Sequence, residues 1–218
     1  MRYSRKQIEE IKQNIPQQAY TLFSKRGIEE VTMQNIADAC GIGVATLYRY
    51  YGTKIQLVGD VYKLKWQEIS KDVREQYFQI QKSTTAYEDF EFCLNSVLYV
   101  YKNYPGFLCF FRNFSVYIQN IDVPDNLNHQ MVNMSNQAIE SFEVHCFFKA
   151  SKDHTVRQDI PVKDLYVATI LSLYYTAAKY AKGILVPFDG TSSPYELLNL
   201  QKEMHLHFVQ GERYESNN

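Results

Sequence analysis

The 218 residues suffice for one large domain, or for a small domain followed by one of ordinary size. Hydrophobic residues at 45% against 22% charged exclude a largely disordered chain and leave only the 215–218 tail outside a packed core. The net charge of -1 gives no overall polycation, yet eight basic residues stand against five acidic ones up to Lys54, a balance of +3 that leaves -4 for the remainder. Such asymmetry suits a small polyanion-binding head on an acidic body.

Apolar residues recur at helical spacing nearly everywhere, and no alternating run bounded by turn residues argues for a strand, so the expected fold class is all-α. Ser4 followed by Gln7 reads as a capping box, with Ile8, Ile11 and Ile15 at helical spacing behind it. Pro16 either begins a fresh helix or kinks a continuous one. Ala19, Leu22 and Phe23 then mark an apolar face that Gly27 closes. Thr32 is an N-cap for a short helix turning Ile36, Ala37 and Cys40 inward, and Gly41 ends it. A third short helix carries Leu47, Tyr50 and Tyr51 inward, and Gly52 and Thr53 stop it and cap the next. That fourth helix runs from Lys54 toward Gln81 on a stripe of Leu57, Val61, Leu64, Ile69 and Val73. Residues 86–103, 106–120, 126–149, 162–184 and 195–210 are further helices, punctuated by Pro105, Pro124, Pro161, Pro187 and Pro194.

The segment TMQNIADACGIGVATLYRYYGTK, residues 32–54, places a capped helix, a glycine turn and a second short helix within about twenty residues, the spacing of a helix-turn-helix. Ile42 and Leu47 lock the two helices from inside. Val44, Ala45, Tyr48 and Arg49 remain outward, a surface of little bulk with donors for phosphate and one guanidinium for base edges, as a major groove demands.

This stretch resembles the tetracycline-repressor (TetR) family. The matching residues are Leu22-Phe23, Gly27, Thr32, Ile36-Ala37, Gly41, Thr46-Leu47-Tyr48, Tyr50-Tyr51 and Lys54, all in register. The resemblance implies a DNA-binding domain over 1–54 and a helical ligand-binding and dimerisation domain over 55–218. It implies that Thr32, Tyr48, Tyr50 and Lys54 contact phosphates, while Gln34, Val44, Ala45, Thr46 and Arg49 approach bases. The alternative for Tyr48 and Tyr50 is core packing, and for Thr32 plain capping. Two positions depart from the family pattern: Gly43 replaces its usual Ser or Thr cap, and Val44 its common polar or basic residue. Gly still serves as an N-cap and Val can pack on a thymine methyl, but the operator sequence is not readable from them.

Beyond Lys54 the resemblance is one of architecture. It implies a dimer through the last two long helices. Val167, Ile170, Leu171, Tyr174, Tyr175 and Ala178 on the first, with Leu197, Leu198, Leu200, Met204 and Phe208 on the second, make apolar surfaces wider than one core requires. A ligand site is expected among Tyr101, Phe107, Phe110, Phe111, Phe114, Tyr117 and Tyr174, for a lipophilic or aromatic small molecule, with core packing the alternative for each ring. Arg112 either pairs with an anionic ligand or lies at the surface.

The four cysteines form no CxxC pair and are expected as reduced core residues, and the five histidines lack partners at metal-ligand spacing. No metal, cofactor or enzyme motif is expected. The polar start lacks a secretion core, and the apolar stretch 167–186 carries Lys179 and Lys182, so no membrane partner is expected and the location read is cytoplasmic. These features together lead to a ligand-responsive repressor that binds a near-palindromic operator as a homodimer. A protein-docking coactivator or interaction module on the same fold is the alternative, and a helical enzyme would need paired polar groups that the aromatic segment lacks.

Overall fold

The computed structural model describes residues 5–80, 85–129, 146, 148–182 and 192–211. The described residues are helical, with one isolated antiparallel bridge between Val156 and Gln210. Helix α1 is Arg5–Arg26, α2 Met33–Ala39, α3 Val44–Tyr51, α4 Lys54–Ile80, α5 Ala86–Asn103, α6 Pro105–Gln119 and α7 Phe148–Asp153. Val162–Tyr166, the π-helical Val167–Leu171 and Ser172–Tyr180 follow without a break and form α8, and α9 is Pro194–Val209. The expected capping box at Ser4 and Gln7, most of the 126–149 helix, residues 183–184 and the 215–218 tail lie outside the described residues.

Helix boundaries follow side-chain chemistry. Pro16 lies inside α1, which continues through it, so of the two possibilities the continuous helix is realised. The Thr32 hydroxyl accepts the Asn35 N–H at 3.1 Å while the Thr32 N–H donates to Asn35 Oδ1 at 3.1 Å, closing a reciprocal cap on α2. The same device starts α5 at Thr85 with Glu88 and α9 at Ser193 with Glu196. Pro105 and Pro194 open α6 and α9, where a missing N–H leaves no helical hydrogen bond unmade. Gly41 turns from α2 into α3 at φ +66°, a conformation that costs a residue with a Cβ of order 1–2 kcal/mol.

Contacts divide the chain into two compact units: Met1–Ser70 with Cys109–Asn128, and Lys71–Leu108 with His129–Asn218. This grouping differs from a division at residue 54, because the first half of α4 and most of α6 pack with the N-terminal helices. In the first unit Ile15, Ala19, Phe23, Ile36, Leu47, Leu57 and Val61 are fully buried. Phe110 joins them from α6, edge-on to Tyr20 at 5.8 Å and stacked near Phe23 at 6.3 Å, and Phe114 stacks on Tyr62 at 4.6 Å.

In the second unit Phe90 and Leu94 of α5, Leu165, Leu173 and Ala177 of α8, and Leu198 and Val209 of α9 form the core. The π-helical turn in α8 is absent from the periodicity of the sequence. At its centre the buried Thr169 hydroxyl donates to the Leu165 carbonyl at 2.6 Å, a back-bond of the kind that accompanies local helix distortion. Among the cysteines Cys109 and Cys146 are buried, whereas Cys40 and Cys93 are only partly so, and all four are free thiols.

Candidate nucleic-acid interface

The first unit presents its short third helix outward. Leu47 and Tyr51 of α3 are buried, and Ile42 in the turn is buried with them, as the pattern of the segment requires. On the other side Ala45 and Arg49 are exposed and Tyr48 is 48% exposed, while Val44, Thr46 and Tyr50 are half-buried. Gly43 caps α3 from extended backbone and supplies no side-chain hydrogen bond. The Arg49 guanidinium lies 5.7 Å from the centre of the Tyr50 ring, within cation–π range, so the ring braces the only cation on α3.

Two further candidates flank this face. Gln34 on α2 is exposed, and its side-chain amide donates to Asp38 Oδ1 at 2.7 Å one turn along the helix. That contact leaves the amide oxygen open, so an adenine edge can still be met. Thr32 is exposed, with its hydroxyl occupied in the α2 cap.

Lys54 opens α4 and is half-buried, with its ammonium donating to the Glu29 carbonyl at 3.2 Å and lying 5.5 Å from the centre of the Tyr117 ring. Burial pulls its pKa below the ordinary lysine value, and the nearby Glu29 carboxylate acts in the opposite direction. Asp38 and Glu29 did not stand out in the sequence reading, and Tyr117 stood out only as an expected ligand-site ring. The Asp38 contact is readable from an i,i+4 spacing, but Tyr117 is distant in sequence and carries no local signal.

The expected ligand-site rings fall in two places. Phe110, Phe111, Phe114 and Tyr117 belong to the first unit, and Tyr101, Phe107 and Tyr174 to the second. Phe107, Phe110 and Phe114 are buried; Tyr101, Phe111, Tyr117 and Tyr174 are half-buried, as is Arg112. The structure brings Phe110 and Phe114 together, 6.1 Å apart, within the ring cluster that includes Tyr20, Phe23 and Tyr62. No group of three or more histidine, cysteine or acidic side chains able to hold a metal occurs among the described residues. No described helix is long and apolar enough to cross a membrane.

An N-terminal helix-turn-helix followed by further helices is an architecture that DNA-binding proteins use. Comparison with known proteins shows what the chain is similar to. Residues 15–61 match the family model described as bacterial regulatory proteins, tetR family. Two similar proteins are the HTH-type transcriptional regulators SAUSA300_2515 and SACOL2593 of Staphylococcus aureus strains USA300 and COL, each 34% identical over 86 residues. Those matches cover 36% of this chain and 46% of each relative, so the chain spans about half the length of the curated relatives it matches.

Among solved structures, the ketosteroid transcriptional regulator KstR2 of Mycobacterium tuberculosis superposes with a TM-score of 0.63 at 14% identity, covering 97% of this chain and 98% of its own. The TetR family regulator PfmR from Thermus thermophilus gives 0.62 at 17% identity, covering 88% and 97%. FadR from Bacillus subtilis, solved in complex with stearoyl-CoA, gives 0.61 at 12% identity, covering 91% and 99%. The N-terminal head is thus similar to the tetR family of bacterial regulatory proteins over residues 15–61, and the chain shares the fold of these solved regulators along most of its length.

Proposed function

We propose that this protein is a ligand-responsive transcriptional regulator, most simply a repressor, that binds a near-palindromic operator as a homodimer. The carrying observation is the outward face of α3, where Ala45, Tyr48 and Arg49 stand clear of a core pinned by Leu47. In this reading Arg49 grips guanine bidentately, Gln34 meets adenine, and Val44, Ala45 and Thr46 pack on neighbouring base edges. Thr32, Tyr48, Tyr50 and Lys54 bind phosphates and set the register of the head on the duplex.

Dimerisation through α8 and α9 is supported by apolar side chains exposed on both. Leu200, Met204 and Phe208 are 59%, 64% and 44% exposed at successive i+4 positions of α9, and Val167 and Tyr175 are exposed on α8. Burying such a stripe against a second copy removes apolar surface from water at about 25 cal/mol per Å². A dimer also places two recognition helices one duplex turn, roughly 34 Å, or a multiple apart.

The solved complex of FadR with stearoyl-CoA supports a body of this fold that takes a lipophilic small molecule. Tyr101, Phe107 and Tyr174 of the second unit remain the residues proposed for that role. Ligand and operator then oppose each other through one coupling free energy.

The test is a salt titration of binding to duplex fragments from upstream of its own gene. A plot of log affinity against log salt is expected to fall with a slope of about -0.9 for each phosphate neutralised. A salt-independent interaction, or none, would leave the head as a protein-docking module.

A further inference from the structure

We infer that Tyr117 of α6 is a positioning residue for the phosphate contact of Lys54, a role that rests on the DNA-binding reading above. Three elements of the first unit converge on the Lys54 ammonium: the start of α4, which carries it; the α1–α2 connection, whose Glu29 carbonyl accepts its hydrogen bond at 3.2 Å; and α6, whose Tyr117 ring lies 5.5 Å from it.

A lysine has three N–H donors on a stem with four rotors, so an unrestrained one meets a phosphate in many geometries. Here one donor is committed to Glu29 and the ring face bounds another side of the ammonium. The remaining donor capacity is left for an anion at the N-terminal end of α4, which Lys54 opens and where the helix dipole also favours one. Tyr117 is half-buried, and burial raises its hydroxyl above the ordinary tyrosine value, with the Glu29 carboxylate adding to the effect, so the ring stays neutral and its face electron-rich. The restraint comes from the ring and not from the hydroxyl, for which a phenylalanine would substitute.

The full chain is tested as wild type, Y117F, Y117L, K54A and the Y117L/K54A double variant, in two measurements. First, DNA affinity is followed against salt. Y117L is expected to flatten the slope by about 0.9 per protomer and to weaken binding about fivefold per contact near 0.15 M salt, K54A to do the same, the double variant no more than either, and Y117F to match wild type. Second, the proton shifts of the Lys54 Cε group are read by NMR without DNA. A ring-current upfield shift is expected in wild type and Y117F and its loss in Y117L; Y117M, equally ringless, replaces Y117L if that variant does not fold. An unshifted Lys54 in wild type, or a ringless variant with the wild-type salt slope, overturns the inference alone. A wild-type protein with no salt-dependent DNA affinity overturns the DNA-binding reading and this role with it.

Discussion

Leu47 is fully buried at the centre of the short helix that presents Tyr48 and Arg49, so one side chain carries both the packing of the head and the aim of its outward face. Leu47→Ala is expected to cost about 2–5 kcal/mol through lost burial and a residual cavity, measured by denaturant unfolding. In the second unit the Asp72 carboxylate accepts the Tyr104 hydroxyl at 2.6 Å and the Tyr99 hydroxyl at 2.8 Å, and these bonds hold its pKa below the ordinary carboxylate value. Because the folded value is the lower one, the contribution is complete above the ordinary value of 3.8 and is lost as pH falls through the folded value. Tyr104→Phe should therefore move the onset of acid unfolding to higher pH, followed by circular dichroism; an unchanged acid profile would show that the bond adds nothing. Leu47 was legible in the sequence because its role follows from neighbours within one turn. The Asp72 bonds were not, because α4 meets Tyr99 and Tyr104 only after the chain has folded back.

At the scale of elements, α2 was readable from its Thr32 cap, and α5 and α9 to within a residue from periodicity and prolines; in the structure Thr32, Thr85 and Ser193 each exchange hydrogen bonds with the third residue of the helix that follows. The π-helical turn at Val167–Leu171 was not readable, since one inserted residue leaves the apolar spacing of α8 nearly intact. The helix-turn-helix was legible as a set, with Gly41, Ile42 and Leu47 fixing the angle and Ala45, Tyr48 and Arg49 left outside. The brace on Lys54 was not, for Tyr117 reaches it from α6. Within α3, Arg49→Ala is expected to relax preference at a single base position by about 1–3 kcal/mol, read by competition among operator variants. Uniform weakening across all sequences would instead make Arg49 a phosphate contact.

For the whole molecule, an all-helical chain was legible from periodicity, but the grouping of contacts was not. The rings Phe110 and Phe114, for which the sequence offers a ligand site with core packing as the alternative, pack on Tyr20, Phe23 and Tyr62 of the first unit. Local spacing cannot tell these outcomes apart, because both require consecutive aromatic turns. The exposed stripe of Leu200, Met204 and Phe208 is the observation behind the proposed self-association, which belongs to the molecule as a whole. Met204→Glu, which sets a charge in its middle, should shift sedimentation from dimer to monomer and weaken operator binding with it. The central claim, that a pair of α3 helices occupies the major groove, is tested most directly by protection of guanine N7 from dimethyl sulfate on a bound fragment. Two protected half-sites on one face of the duplex, about one helical turn or a multiple apart, are predicted; unprotected major-groove guanines on a fragment that the protein demonstrably holds would contradict it.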